Sequence, residues 1–254
     1  MGATGTRVAG QPTFAPDSTL LRLGATGAVL GIVLFFVATA LHPGHNPANL
    51  QATLPEYAAS SGWLAVHVGQ FAGIALAMGG LVALSRSLVP DRPLSAALAR
   101  LGLVAALVAV AVYAVNQAVD GVAIKSVADA YTAAAPADKT TALLVAQAVR
   151  HVELGLTSFF ELNLGVALVL FGLAVGRSTA YPAWLGWVAT VDGIGWVAVA
   201  VLLASRGFGV SLSALAMTVT YLLALWLVAL AVLLWRRATR PGAVARPPRS
   251  LHME

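Results

Sequence analysis

The chain of 254 residues has no cysteine and only 10% charged residues. The first absence excludes disulfides and thiolate metal sites, and says nothing of compartment. The second excludes an ordinary soluble domain, which carries about 25% charged residues to cover its water-facing surface. Two further patterns are missing. There is no run of roughly ten-residue alternating segments, which a lipid-facing barrel requires. There is no H-E-x-x-H or other ligand spacing that would mark a metal or haem centre, so no metal and no cofactor is expected from the sequence.

What remains is 59% hydrophobic and arranged in six apolar runs of helix length. About twenty apolar residues cross the ~30 Å of bilayer hydrocarbon. The expected fold is therefore all-α, a polytopic membrane protein with a six-helix transmembrane bundle. The spans fall at about 20–41, 63–88, 94–120, 152–176, 183–204 and 212–235. They form one domain over 19–237. A Gly, Pro and Thr-containing tail over 1–18 and a basic, Pro-rich tail over 238–254 flank it, and both read as disordered. The first run is longer than a signal-peptide core and reads as a span, although Ala38-Thr39-Ala40 resembles a cleavage site.

The net charge of +5 is not a nucleic-acid signal, because the arginines sit in short loops and the C-terminal tail. Placing the N-terminus inside puts eleven of the basic side chains on the cytoplasmic side. Lys125, Lys139, Arg150 and Arg206 are left outside. That bias predicts cytoplasmic N- and C-termini in a multi-pass protein of the cell membrane. Between the third and fourth spans the helical composition continues on both sides of AAAPADKTT, which predicts a helical hairpin turning near Pro136 beyond the outer surface. A short helix is expected within LPEYAASSGW, along the interface. GWLAVHVGQFAGIA (62–75) faintly echoes AWLGWVATVDGIGW (183–196), a likeness that common membrane residues produce by chance.

Polar residues inside the spans carry the functional reading. At 100° per residue, Arg150, Glu153, Thr157 and Glu161 fall on one helix face that descends into the fourth span. His67 and Gln70 share a face in the second span, and Tyr113, Asn116, Gln117 and Asp120 in the third. Asp192 lies at mid-depth in the fifth beside Gly195 and Trp196, and Met217, Thr218 and Tyr221 share a face in the sixth. Singly, most have a bland reading: Arg150 with Glu153 is an i, i+3 pair, and polar membrane residues often bond across helices. His42, His45 and Glu56 read as solvated loop residues. Glu161 and Asp192 are harder to dismiss, since an ionisable group at such depth is costly. They are expected to face one shared cavity, at least one of them neutral.

The stretches YAASSGWLAVHVGQF, QAVDGVAIK and AVRHVELGL resemble an uncharacterised family of multi-span membrane proteins from GC-rich bacteria. The likeness covers roughly 42–187. It implies that His67, Gln70, Gln117, Asp120, Arg150 and Glu153 form one site, and implies no chemistry.

These readings lead to an intramembrane enzyme acting on a membrane lipid or a lipidic, isoprenoid-like small molecule, with no nucleic-acid partner and no stated oligomeric state. Glu161, Asp192, His67 and Asp120 are the catalytic candidates. Gln70, Tyr113, Asn116, Gln117, Arg150, Glu153, Thr157, Trp196 and Tyr221 are the substrate-binding candidates. The architecture and acid placement are similar to those of small membrane-embedded terpene cyclases. A proton- or ion-coupled transporter, a metal- or haem-binding protein using His42, His45, His67, His151, Asp120 and Glu153, and a structural subunit are the competing classes.

Overall fold

The computed structural model describes residues 17–43 and 48–239. The two expected tails lie almost wholly outside these residues, as does His45. Among the described residues the chain is all-helical. It contains α1 (Ser18–Ala40), α2 (Leu50–Ala59), α3 (Trp63–Ser87), α4 (Pro93–Ala118), α5 (Lys125–Ala133), α6 (Lys139–Gly176), α7 (Ala183–Arg206) and α8 (Val210–Thr239). A π-helical turn, Val119–Ile124, joins α4 to α5 without a break. Among the described residues, six helical stretches are long and apolar enough to cross a membrane. Leu23, Val33, Leu101, Val104, Val191 and Leu225 are more than half exposed on their outer faces, as lipid-facing side chains are.

The third and fourth of these stretches, Pro93–Ala133 and Pro136–Gly176, are each 41 residues long. At ~1.5 Å per residue each reaches about 60 Å, roughly twice the hydrocarbon thickness. They form the hairpin expected from the sequence. Its turn is the single 3-10 turn Pro136–Asp138, and Lys139 Nζ closes it by donating to the Tyr131 and Thr132 carbonyls at 2.5 and 3.1 Å. The projecting part has its own small core, in which Leu54 and Tyr57 of α2 meet Trp63, Ile124, Ala128 and Ala146. Lys125 ties α2 on, donating to the Ala58 carbonyl at 2.6 Å. The short helix expected near 54–63 therefore exists, starting earlier at Leu50 and lying on the hairpin.

Helices pack closest where both partners are small. α1 lies against α3, and α6 against α7, the first two spans of each half of the chain. At the second contact a Cβ on Gly193 would sit 2.6 Å from the Gly165 carbonyl oxygen and 2.7 Å from Val169 N. Backbones so close leave no room for a methyl group, the membrane form of small-residue packing. Gly193→Ala is expected to destabilise the bundle by about 1–3 kcal/mol. The measurement is thermal unfolding of the purified protein in detergent, and an unchanged midpoint would show that α6 and α7 can separate freely.

At the end opposite the hairpin the bundle is sealed by side chains. Ser87 Oγ and the Tyr181 hydroxyl are 2.6 Å apart, Arg237 lies over the Tyr181 ring and donates to the Ala180 carbonyl, and Asp91 accepts from Thr179 N and Oγ1. Burial pushes the Tyr181 hydroxyl pKa above its ordinary value, so it stays neutral.

Candidate functional site

Three groups of polar residues follow one another from the hairpin end into the bundle. The outermost surrounds the π-turn. A π-turn is a local widening of the helix, frequent at functional sites. Here it places Asp120 beside α3: Asp120 Oδ2 is 3.2 Å from His67 Nε2, and the Asp120 carbonyl accepts from the Trp63 indole at 3.1 Å. The approach depends on Gly121, where a Cβ would meet the His67 Cβ at 2.8 Å. His67 is buried, and its Nδ1 lies 2.7 Å from the Trp63 carbonyl. A carbonyl only accepts, so Nδ1 carries the proton.

His42, just past the end of α1, completes this group and corrects its reading as a solvated loop residue. Its ring is half-buried, with its centroid 5.0 Å from that of Trp63, 5.1 Å from that of His67 and 6.3 Å from that of Tyr57. Burial lowers the His42 pKa and so favours the neutral ring, a pull that the nearby Asp120 partly opposes. Nothing in loop composition shows that a histidine will turn inward. His151, by contrast, is exposed, with Nδ1 turned to the Gln147 carbonyl, and takes no part.

Below lies a ladder of amides and hydroxyls. Gln117 Nε2 approaches Gln70 Oε1 at 3.5 Å, Gln70 Nε2 donates to Thr39 Oγ1, and Thr157 Oγ1 shares its one proton between the Glu153 carbonyl at 3.0 Å and Asn116 Oδ1 at 3.2 Å. Arg150 sits at the top of the α6 stripe, grips Glu153 with two bonds of 2.8 and 2.6 Å, and lies over the Phe208 ring. The stripe Arg150, Glu153, Thr157, Glu161 expected from helical periodicity is therefore real, and it faces the polar residues of α3 and α4.

The third group lines a half-open cavity of about 220 Å³ to which all six spans contribute residues. Its walls are almost wholly apolar, with Phe35, Phe160 and Trp196 among them. Tyr113, Thr157 and Thr220 bring hydroxyls, and Glu161 the one ionisable carboxyl. Glu161 Oε2 is buried with no hydrogen-bond partner. Most lining residues on α1 and α8, among them Phe35, Phe36 and Leu223, are only half-buried, so this wall lies nearest the bundle exterior.

Of the expected site residues, Tyr113, Thr157, Glu161 and Trp196 line the cavity; His67, Gln70, Asn116, Gln117, Asp120, Arg150 and Glu153 belong to the two groups above it, and Asp192 and Tyr221 belong to none of the three. Asp192 is buried, both carboxyl oxygens unpartnered, but it does not line the cavity; Trp196, one turn further along α7, does. The expectation that Glu161 and Asp192 share one cavity is corrected accordingly. The tight glycine contact with α6 sets the rotation of α7, and that rotation carries Asp192 into packing. Tyr221 is 53% exposed and stacks on Phe36 with ring centroids 5.4 Å apart, on the outside of the α1–α8 seam. Met217 is also exposed, as is Thr218, which bonds the Ala214 carbonyl. Ala216, Thr220 and Leu223 face the cavity instead. Of the adjacent Phe159 and Phe160 on α6, Phe160 faces inward and Phe159 outward.

Comparison of the chain with protein-family models, with curated proteins and with solved structures finds no match.

Proposed function

We propose that the protein is an intramembrane enzyme that takes a lipidic, isoprenoid-like molecule into the central cavity and isomerises or cyclises it by proton transfer from Glu161. One observation carries this reading: a carboxyl with an unpartnered oxygen lines an apolar cavity bounded by every span. Such a group does nothing for stability. A buried polar atom without a partner costs about 1–3 kcal/mol. A carboxyl held neutral in apolar surroundings is, however, a proton donor.

The chemistry is balanced without a co-reactant. The Glu161 O–H proton is transferred to one carbon of a substrate double bond, whose π pair becomes the new C–H bond. The cation left on the other carbon rearranges or closes a ring. Loss of a different proton to the Glu161 carboxylate forms the product alkene and restores the acid. The Trp196, Phe160 and Tyr113 faces stabilise the cation, worth about 2 kcal/mol or more when desolvated. Thr157 lies one turn above Glu161 on the same stripe and positions the polar end of the substrate. A cavity of ~150 Å³ holds a benzene. One of about 220 Å³ holds a branched isoprenoid segment rather than a whole long chain.

The test is conversion of a radiolabelled isoprenoid mixture by purified protein in lipid nanodiscs, compared with Glu161→Gln. Product formation that Glu161→Gln does not reduce would reject the role given to Glu161.

The same reading places both termini in the cytoplasm and the hairpin outside the cell membrane, supported by eleven basic side chains on one side against four on the other. The absence of native cysteine makes the orientation simple to test. A cysteine at Ala137, exposed at the hairpin tip, should react with an impermeant maleimide in whole cells, and one in the tail at Ala245 only after lysis. Labelling of both in whole cells would refute the orientation.

A further inference from the structure

We infer that His42, His67 and Asp120 form a binding site for a divalent transition-metal ion of the zinc class at the hairpin end of the bundle. One potential ligand atom from each residue lies within 4.8 Å of the other two. The three come from separate elements: the segment after α1, the first turn of α3 and the π-turn.

The orientation of His67 suits a ligand. Its Nδ1–H is spent on the Trp63 carbonyl, the outer contact that fixes the tautomer of a metal-binding imidazole. In the neutral ring Nε2 then presents its lone pair towards Asp120. It is fully buried and lies 3.2 Å from Asp120 Oδ2. A bare imidazole nitrogen and a carboxylate oxygen facing each other at that distance repel unless a proton or a cation lies between them. Two ligands bound at ~2.1 Å to a tetrahedral ion sit about 3.4 Å apart, so the observed spacing is already that of a chelating pair. His42 needs to swing inward by up to about 1.4 Å to bring its nitrogen from 4.8 Å to that separation, since tetrahedral ligands share one spacing.

The donor set suits zinc or ferrous iron, which accept two imidazoles and a carboxylate and keep positions open. Asp120 is 18% exposed, so water reaches those positions. Arg150, whose charge is felt at His42, would oppose a cation, but Glu153 pairs with it through both carboxyl oxygens. The ion would pin α1, α3 and the π-turn together over the polar ladder. This inference does not rest on the role given to Glu161, and either can fail alone.

The test is titration of the full-length, metal-stripped protein in detergent with Co²⁺ alone, read by visible ligand-field absorption. One Co²⁺ per chain is expected. Asp120→Asn and His42→Gln should each weaken binding at least as much as losing an outer-shell partner does, about 10- to 100-fold. His151→Gln, on the exposed surface, should leave it unchanged. X-ray absorption on the wild-type Co²⁺ complex keeps the test decisive should a variant misfold: two imidazoles and a carboxylate at about 2.0–2.2 Å are expected. No stoichiometric binding, binding indifferent to both substitutions, or a shell without imidazole would overturn the site.

Discussion

Glu161→Gln should lower isoprenoid turnover by about 10²- to 10⁴-fold, the usual contribution of a positioned general acid. The substitution keeps the shape of the side chain and removes the transferable proton. Because Glu161 Oε2 has no hydrogen-bond partner to lose, the fold should tolerate the change, and the melting temperature in detergent should stay within a few degrees. Asp192→Asn is the informative contrast. Asp192 is as deeply buried but outside the cavity, so its amide variant should retain most of the turnover. Turnover lost at Asp192 and kept at Glu161 would assign the chemistry to the wrong acid here.

The second large effect is steric. Ala224 lines the cavity from α8, where the wall is half-exposed and its neighbours are not locked by close glycine contacts. Phenylalanine there adds a ring of benzene size, and ~150 Å³ is enough to hold a benzene. In a cavity of about 220 Å³ it removes most of the room for a ligand. Turnover should fall to the level of Glu161→Gln, this time because nothing binds. Tyr221→Ala should act in the opposite direction, since the Tyr221–Phe36 stack closes the α1–α8 seam from outside. Ligand exchange should be faster in that variant, as measured by displacement of a fluorescent lipid. An unchanged exchange rate would mean that the ligand enters elsewhere.

The sequence and the structure agree where one helix decides the matter. Span lengths follow from apolar runs, the hairpin follows from Pro136 between two helical stretches, and the Glu153–Thr157–Glu161 stripe follows from 3.6-residue periodicity along α6. They part where the rotation of a helix about its own axis matters. α7 and α8 are apolar on nearly every side, so periodicity cannot say which face turns inward. For that reason Asp192 and Tyr221 lie off the cavity where periodicity expects them on it, and Thr220 lies on it. The deciding information is the size of facing residues: Gly165 and Gly193 fix how α6 meets α7. The gathering of His42 with His67 and Asp120 depends on a π-turn and an inward-turned loop, neither of which leaves a periodic trace. Gly121 is the one local sign, a glycine in the middle of a helix where His67 must approach.

The most direct measurement of the central claim is native mass spectrometry of the protein released from its own membranes in mild detergent. The account predicts a stoichiometric lipidic adduct on the wild type and on Glu161→Gln, and none on Ala224→Phe folded to the same melting temperature. An adduct of equal occupancy on Ala224→Phe, or no adduct on any form, would contradict a ligand-filled central cavity.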